Sequence, residues 1–448
     1  MLIELKAHTK AGARLVAIAE ELSGQLAVRA AEHDRDGSYP FEAIDALKTA
    51  GYFAAPVPGK LGGLGVSSGH DLVVASSRLA RGDASVAIGV NMHLVAVLNM
   101  ERRRQVAAAA GAERRTRGYA TSLAQIARNG IVLAAAISEG GQDLTRPGTV
   151  ATRTESGWRI EGRKLFCTMS PAATDLYVAV TYADGEGIER YAYAMVPVDA
   201  PGVTVHDDWD ALGMRASGSH SISLDGVALP ESGVRGGFQT GDSVAYIERN
   251  LIAGLFHAAA SLGIAESADQ LAGRGLARRI QSAMAGQSTH QQTKGTAHVP
   301  ILVSPTDGRE APPPPPRITA TAHNGNARAR MQMAENAIDL AAARGVLSRA
   351  AALVDEHRAA NPASDGTADE LVALFAEAQA AKAFVNDAAA RIVDRALALS
   401  GGAGYVNGSP LARAYRDVKA GSFMHPLGVN RAYDYLAHVA LGEPTELH

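Results

Sequence analysis

The chain has 448 residues, of which 47% are hydrophobic and 20% are charged, and its formal net charge is −3. Because one hydrophobic core rarely serves so long a chain, we expect two or three domains. The balanced charge gives no basic field for a phosphate backbone, which argues against nucleic acid as a partner. The single cysteine, Cys167, excludes an intrachain disulfide and a cysteine-rich metal site, and it favours a reducing, cytoplasmic location.

Residues 1–128 are predicted to form an N-terminal helical domain, because apolar residues recur at intervals of three and four. Leu15, Ile18 and Leu22 illustrate this spacing. We find no apolar run approaching the roughly 18 residues of a membrane span, so no membrane association is expected. The three consecutive arginines at 102–104 are interpreted as a solvated helix face.

Residues 129–236 have a different pattern, in which short β-prone stretches alternate with glycine, proline and aspartate turns. This pattern predicts a middle, barrel-like β-domain. Residues 237–448 are predicted to form a C-terminal helical bundle, in which an apolar stripe runs from Leu371 to Leu399. A segment at about 285–328, with five consecutive prolines at 312–316, is predicted to be a flexible insertion. The fold class is therefore α+β, with helical regions on either side of a β-domain.

Two glycine-rich stretches superficially resemble other catalytic motifs. Residues 65–69 match a hydrolase nucleophile elbow, but a glycine loop precedes them where a strand is required. Gly401-Gly402-Ala403-Gly404 follows a long predicted helix, whereas a dinucleotide fingerprint follows a strand. The sequence contains no recognisable metal-binding motif, so no metal site is predicted.

Six short motifs, spread over most of the chain, occur in an order typical of one family. They are Leu61-Gly62-Gly63-Leu64-Gly65, Ile137-Ser138-Glu139-Gly140-Gly141-Gln142-Asp143, Gly162-Arg163-Lys164-Leu165-Phe166-Cys167-Thr168, Leu212-Gly213-Met214-Arg215-Ala216-Ser217, Asp225-Gly226-Val227-Ala228-Leu229-Pro230, and Gly401-Gly402-Ala403-Gly404-Tyr405 followed by Tyr415-Arg416-Asp417. In these motifs the chain resembles the acyl-CoA dehydrogenase superfamily of flavoproteins. The resemblance implies a flavin cofactor, FAD or alternatively FMN, and a homo-oligomer, either a tetramer or a dimer.

The resemblance also implies roles for individual residues. Phe166 would pack on the flavin ring, while Thr168 and the backbone near Ile137 and Ser138 would bond its polar edge. The turn formed by Gly401, Gly402 and Gly404 would also approach the cofactor. Substrate contacts are expected from Gln142, Arg215 and Ser217. The loop after Glu139 is shorter than the family pattern, which leaves the substrate open.

The catalytic base is the main departure from the family pattern. Many members carry a glutamate a few residues after Tyr-Arg-Asp, and that position holds His425 here. Other members place a glutamate in a Glu-Arg pair on the first helix after the β-domain, which makes Glu248 an alternative base. Members that hydroxylate with reduced flavin and oxygen use histidines, for which His425 and His93 are the candidates.

Two enzymatic hypotheses follow from the resemblance, and a cofactor-free scaffold is a third reading. The first hypothesis is FAD-dependent α,β-dehydrogenation of a small acyl thioester such as an acyl-CoA, with Glu248 as base and an electron-transfer partner. The second is a flavin-dependent monooxygenase on the same fold, which uses His425, with His93 as a second candidate residue. It receives reduced flavin from a flavin reductase.

Overall fold

A computed structural model of the chain describes residues 3–141, 143–292, 322–445 and 447, without the side chains of 283–292 and 322–326. Six helices precede the sheet: α1 Lys10–Leu26, α2 Ala30–Asp36, α3 Phe41–Thr49, α4 Gly69–Ala80, α5 Ala84–Ala109 and α6 Glu113–Asn129. Among the described residues, seven α-helices follow it: α7 Ser243–Asn250, α8 Ala253–Gln292, α9 Ala322–Ala360, α10 Ala368–Ser400, α11 Gly402–Tyr405, α12 Pro410–Asp417 and α13 Val429–Leu441. The α+β class predicted from the sequence is confirmed.

Eight strands form one mixed sheet between the two helical regions. They are β1 Leu133–Ala136, β2 Val150–Thr154, β3 Gly157–Cys167, β4 Asp175–Ala183, β5 Glu189–Pro197, β6 Val203–Val205, β7 His220–Pro230 and β8 Val234–Gln239. The order is β6-β7-β3-β2-β4-β5-β8, and β1 pairs in parallel with β4. The sheet continues to Gln239, whereas the sequence analysis placed the end of the β-domain at 236.

Local side-chain bonds explain where several helices begin. The side chain of Asp83 accepts hydrogen bonds from the backbone N–H groups of Ser85 and Val86 at the start of α5. Thr367 and Glu370 form a capping box at the start of α10. Ser409 caps α12, and Pro410 occupies its first position. These caps fix the starts of helices that border the cavity described below or support its loops.

Helix α5 and the stretch Ser243–Ser282, which comprises α7 and most of α8, are long and apolar enough to cross a membrane, although the sequence analysis found no apolar run of that length. The 18-residue windows have mean hydropathies of 1.3 in Ala84–Ala109 and 1.4 in Ser243–Ser282. However, 83% and 94% of these windows are buried inside the fold. Their apolar character therefore matches their position as core helices, which are apolar on all sides.

The apolar stripe of α10 is buried within this chain. Leu371, Phe375, Val385 and Ile392 are among its buried positions, and the helix packs against α8, α9 and α13. Because the stripe is buried within one chain, it does not provide a surface for oligomer formation. The homo-oligomer stays a prediction based on the family resemblance.

Two further sequence predictions need correction. The insertion predicted at about 285–328 is helical at its described ends, since α8 reaches Gln292 and α9 begins at Ala322; its middle lies outside the described residues. The arginines at 102–104 do not form a solvated face. Arg102 is buried and donates to backbone carbonyls near Asn361, while Arg103 and Arg104 form ion pairs.

Candidate flavin and substrate site

A cavity of about 470 Å³ lies between one end of the sheet and the helices of both flanking regions. Its floor and walls come from α5, α8, the end of β3, the loop before β7 and the segment after α12. The lining residues named by the sequence analysis are Ile137, Ser138, Phe166, Thr168, Ser217 and His425. The structure therefore brings together, in one cavity, side chains that are up to 288 positions apart in the sequence.

An aromatic wall borders the cavity at the end of β3. Strand pairing between β3 and β7 shifts between Lys164 and Cys167, and this irregularity holds Phe166 at φ +54°. The Phe166 ring is 62% exposed and meets Trp209 edge to face, with 6.2 Å between the ring centres. A flat aromatic ligand packed against Phe166 would explain why an aromatic residue on strained backbone is exposed at this cavity.

Strained backbone is concentrated around this cavity. Among the described residues, the non-glycine positions with positive φ are Phe166, Met169 and Met214. Phe166 and Met214 line the cavity. Met169 donates its backbone N–H to the carbonyl of Ser217, which also lines it. Such conformations persist only where surrounding contacts hold them, and they are common at functional sites.

A row of hydroxyl groups lies beside the aromatic wall. The Ser217 and Ser219 hydroxyl oxygens are 2.7 Å apart, and Ser219 donates to the Thr168 hydroxyl at 2.9 Å. All three residues line the cavity. Arg416 and Lys419 add two cationic side chains to the lining. Together these groups fit a flavin, whose ring has a polar edge and whose phosphate is anionic.

Buried charged residues support the loops of the site. Lys164 donates to the carbonyl of Ile137 at 3.4 Å and pairs with Glu139, which fixes the segment after β1. Asp417 accepts a hydrogen bond of 2.6 Å from the backbone N–H of Met214 and so holds the loop before β7. Burial raises the pKa of Asp417 to about 7. The sequence analysis had assigned no role to Lys164 or Asp417.

His425 faces the cavity as a neutral imidazole. Asn250 donates its side-chain N–H to the carbonyl of Tyr246, so its amide oxygen is the atom 3.1 Å from His425 Nε2. The hydrogen-bond network therefore assigns the proton to Nε2 and leaves Nδ1 as an acceptor. Burial, together with the nearby Lys382 charge, lowers the pKa of His425 to about 3.

His257, on α8, also lines the cavity, and the sequence analysis missed it. It is 3% exposed, and neither ring nitrogen has a hydrogen-bond partner among the described residues. Burial, followed by the charges of Lys382 and His425, keeps its pKa well below the usual range for histidine. A lone histidine in an apolar helix gives no spacing signal, so only the packing reveals it.

Two residues proposed as catalytic lie outside the cavity lining. His93 is buried in the core, where its Nε2 donates to the carbonyl of Phe53 at 2.9 Å and its Nδ1 accepts from Leu133 N–H at 3.0 Å. Burial lowers the pKa of His93 to about 4. Glu248 is buried and forms an ion pair with Arg103. Both side chains are engaged in interactions that stabilise the fold.

The remaining predicted contacts are distributed as follows. Arg215 donates to the carbonyl of Asp34 and to Asp210 and does not line the cavity. Gly401, Gly402 and Gly404 lie at the end of α10 and in α11, away from the cavity lining of this chain. Their approach to the cofactor stays a prediction. Gln142 lies outside the described residues.

The sequence and the fold were compared with known proteins. Three family models match: the acyl-CoA dehydrogenase N-terminal domain at residues 15–103, the middle domain at 133–227 and the C-terminal domain at 316–425. The amino sugar nitrososynthase DnmZ of Streptomyces peucetius is 32% identical over 97% of this chain and 94% of its own length. The L-evernosamine nitrososynthase of a Micromonospora species is 30% identical, covering 97% and 91%.

Solved structures are similar to this chain over nearly its whole length. KijD3 in complex with FMN and dTDP-3-amino-2,3,6-trideoxy-4-keto-3-methyl-D-glucose is 30% identical, covers 99% of this chain and 97% of its own, and has a TM-score of 0.80. A dibenzothiophene monooxygenase from Paenibacillus, 22% identical with a TM-score of 0.74, covers 97% and 99% and supports the fold alone.

These relatives overturn the expectation of acyl-CoA dehydrogenation. The curated relatives that are 30–32% identical over 97% of this chain are nitrososynthases, not acyl-CoA dehydrogenases. The structure is consistent with this correction, because Glu248, the proposed dehydrogenase base, is held by Arg103 outside the cavity lining. The order of the motifs, the three matched domains and the near full-length similarity all agree: the chain belongs to the acyl-CoA dehydrogenase superfamily of flavin-dependent enzymes.

Proposed function

We propose that this protein is a flavin-dependent monooxygenase that oxidises the nitrogen of a small amine with reduced flavin and dioxygen. The observation that carries the proposal is the cavity itself. An exposed aromatic wall is suited to a flavin, and the neutral His425 occupies the position where dehydrogenases of the family carry a glutamate. The similarity to nitrososynthases supports nitrogen as the oxidised atom.

The residues of the cavity divide into cofactor and substrate contacts. Phe166 would pack against the flavin ring, and the hydroxyls of Thr168 and Ser219 would bond its edge. Lys419, together with Arg416, which is ion-paired with Asp34, would attract its phosphate. We propose FMN as the flavin, because the KijD3 structure holds FMN at 30% identity. Reduced flavin supplies the two electrons with which one atom of dioxygen is transferred and the other becomes water.

His425 would act on the substrate side through Nδ1. A neutral imidazole with Nε2 protonated can accept a hydrogen bond from the amine at Nδ1 and so orient the nitrogen as it is oxidised. Asn250 and Tyr246 fix the orientation of the ring. The depressed pKa keeps the ring uncharged at neutral pH, so it is available as an acceptor.

We also propose that a separate flavin reductase supplies the reduced flavin. The Gly401–Gly404 turn follows the helix α10, and a nicotinamide dinucleotide fingerprint requires a strand before the turn. In a cell, such a reductase would be the partner of this protein.

The test is an oxygen-uptake assay with FMN, NADH, a flavin reductase and a panel of amines, including a dTDP-linked 3-amino sugar. We expect substrate-dependent formation of a hydroxylamine or nitroso product, which is detectable by mass spectrometry. A protein that binds FMN yet oxygenates none of the amines would contradict the proposal. Controls without the protein measure the peroxide formed by free reduced flavin.

A further inference from the structure

The side chain of His257 presents an unsatisfied hydrogen-bonding group to the cavity. It extends from α8, is 3% exposed, and has both ring nitrogens without a partner among the described residues. His425, by contrast, has Nε2 bonded by Asn250. An unpaired polar group in a buried site is unfavourable, and native proteins rarely leave such groups unsatisfied. A ligand group that bonds His257 would recover this cost.

The charged side chains around the cavity disfavour the binding of a positively charged ligand. Among its described lining residues there is no aspartate or glutamate, whereas Arg416 and Lys419 both line it. The titratable and charged residues of the described lining are His257 from α8, His425 from the segment after α12, Arg416 in α12 and Lys419 beyond it. Lys382 from α10 lies behind His425, and Arg416 forms an ion pair with Asp34. An alkylammonium ion held at His257 would have no carboxylate of the described lining as a counter-ion, which disfavours the charged form of an amine at this position.

We propose that His257 is a substrate-binding residue that holds the reacting nitrogen as an uncharged amine. The inference rests on the proposed function. His257 would accept a hydrogen bond from an amine N–H at one ring nitrogen, and its own N–H is available to a second polar atom of the substrate. The unprotonated amine keeps the lone pair that must attack the activated oxygen, so binding selects the reactive form.

This arrangement also determines specificity. A site built to hydrogen-bond a substrate group rejects analogues that lack the group, because its own polar atoms are then left unpaired. We therefore infer that the cavity prefers an amine over a molecule of similar shape in which hydrogen replaces the amino group.

The test measures binding, which is separate from turnover. FMN-loaded protein is titrated by calorimetry with a dTDP-linked 3-amino sugar and with its 3-deoxy analogue, for the wild type, His257→Leu and His257→Gln. We expect His257→Leu to lose about 10- to 100-fold in affinity for the amino sugar and little for the deoxy sugar. His257→Gln, which keeps a hydrogen-bonding group, should recover part of the loss. Retained flavin binding shows that each variant is folded.

The same titrations from pH 6.5 to 8.5 test the charge state. Affinity for the amino sugar should rise up to about tenfold per pH unit below the pKa of its amine, whereas the deoxy sugar reports any titration of the protein, including Lys382. Tighter amine binding at lower pH, or equal amine affinity in His257→Leu, would overturn the inference even if oxygenated product forms. Failure of the amino sugar to bind would overturn it together with the amine substrate.

Discussion

Lys382 on α10 donates a hydrogen bond from its ammonium group to the carbonyl oxygen of His425, 3.3 Å away, and bonds the carbonyls of Met424 and Leu427 as well. One buried cation thus holds the segment that presents His425 to the cavity. Lys382→Met should leave three buried carbonyls without their donor and lower the free energy of unfolding by about 1–3 kcal/mol or more. Denaturant unfolding measures this change.

If Lys382 positions His425, the same variant should also reduce kcat for amine oxygenation more than it raises KM. A variant that loses stability but keeps kcat would show that Lys382 supports the fold without orienting the imidazole.

His425 and Glu248 give opposite predictions for the two reaction classes. His425→Ala should retain FMN binding and reduce the rate of product formation on the order of 10²- to 10⁴-fold, the usual cost of removing a positioned acid–base group. NADH consumption should continue and yield peroxide. The matched control is Glu248→Gln, which affects a residue outside the cavity lining and should change stability more than turnover. A larger loss of product formation in Glu248→Gln would contradict the assignment.

Phe166 is expected to determine flavin affinity. Because the ring is 62% exposed, Phe166→Ala removes little packing within the chain, and unfolding of the flavin-free protein should change by less than about 0.5 kcal/mol. FMN binding should weaken by about 0.5–1.5 kcal/mol through loss of ring stacking. Quenching of FMN fluorescence measures the dissociation constant. Unchanged affinity in Phe166→Ala would place the flavin ring elsewhere.

Asp417 should make stability depend on pH. Burial raises its pKa to about 7 from a usual value of 3.8, so the folded chain retains the proton to higher pH than the unfolded chain does. Its stabilising contribution is therefore complete below pH 3.8 and is lost as pH rises through about 7. Asp417→Asn keeps an acceptor for Met214 and should flatten this decline, as measured by urea unfolding between pH 4 and 8. An unchanged slope would assign the pH dependence to other groups.

The predicted site residues that meet in the cavity are those carried by local motifs. Phe166, Thr168 and Ser217 lie in motifs that resemble the family, and the structure places all three in the cavity lining. Partners distant in sequence were not predictable in the same way. The ion pair of Glu248 with Arg103 depends on α5 and α7 meeting in space, and no spacing within either segment indicates it.

The supporting polar residues left a weaker signal that the analysis did not use. Lys382 and Asn386 lie four positions apart on one face of α10, between apolar positions, and both are buried. Polar residues at buried helical positions indicate specific partners. Identification of those partners requires the position of the segment that carries His425, which local sequence does not supply.

The most direct test of the central claim is the source of the oxygen in the product. We would mix the protein with a dTDP-linked 3-amino sugar, ¹⁸O₂ and FMN reduced by a flavin reductase. The mass of the product is then measured by mass spectrometry. A monooxygenase predicts one ¹⁸O atom on the nitrogen for each oxygenation step, formed only when the protein is present. Product oxygen derived from water, or reduction of the bound flavin by the amine in the absence of oxygen, would contradict the account.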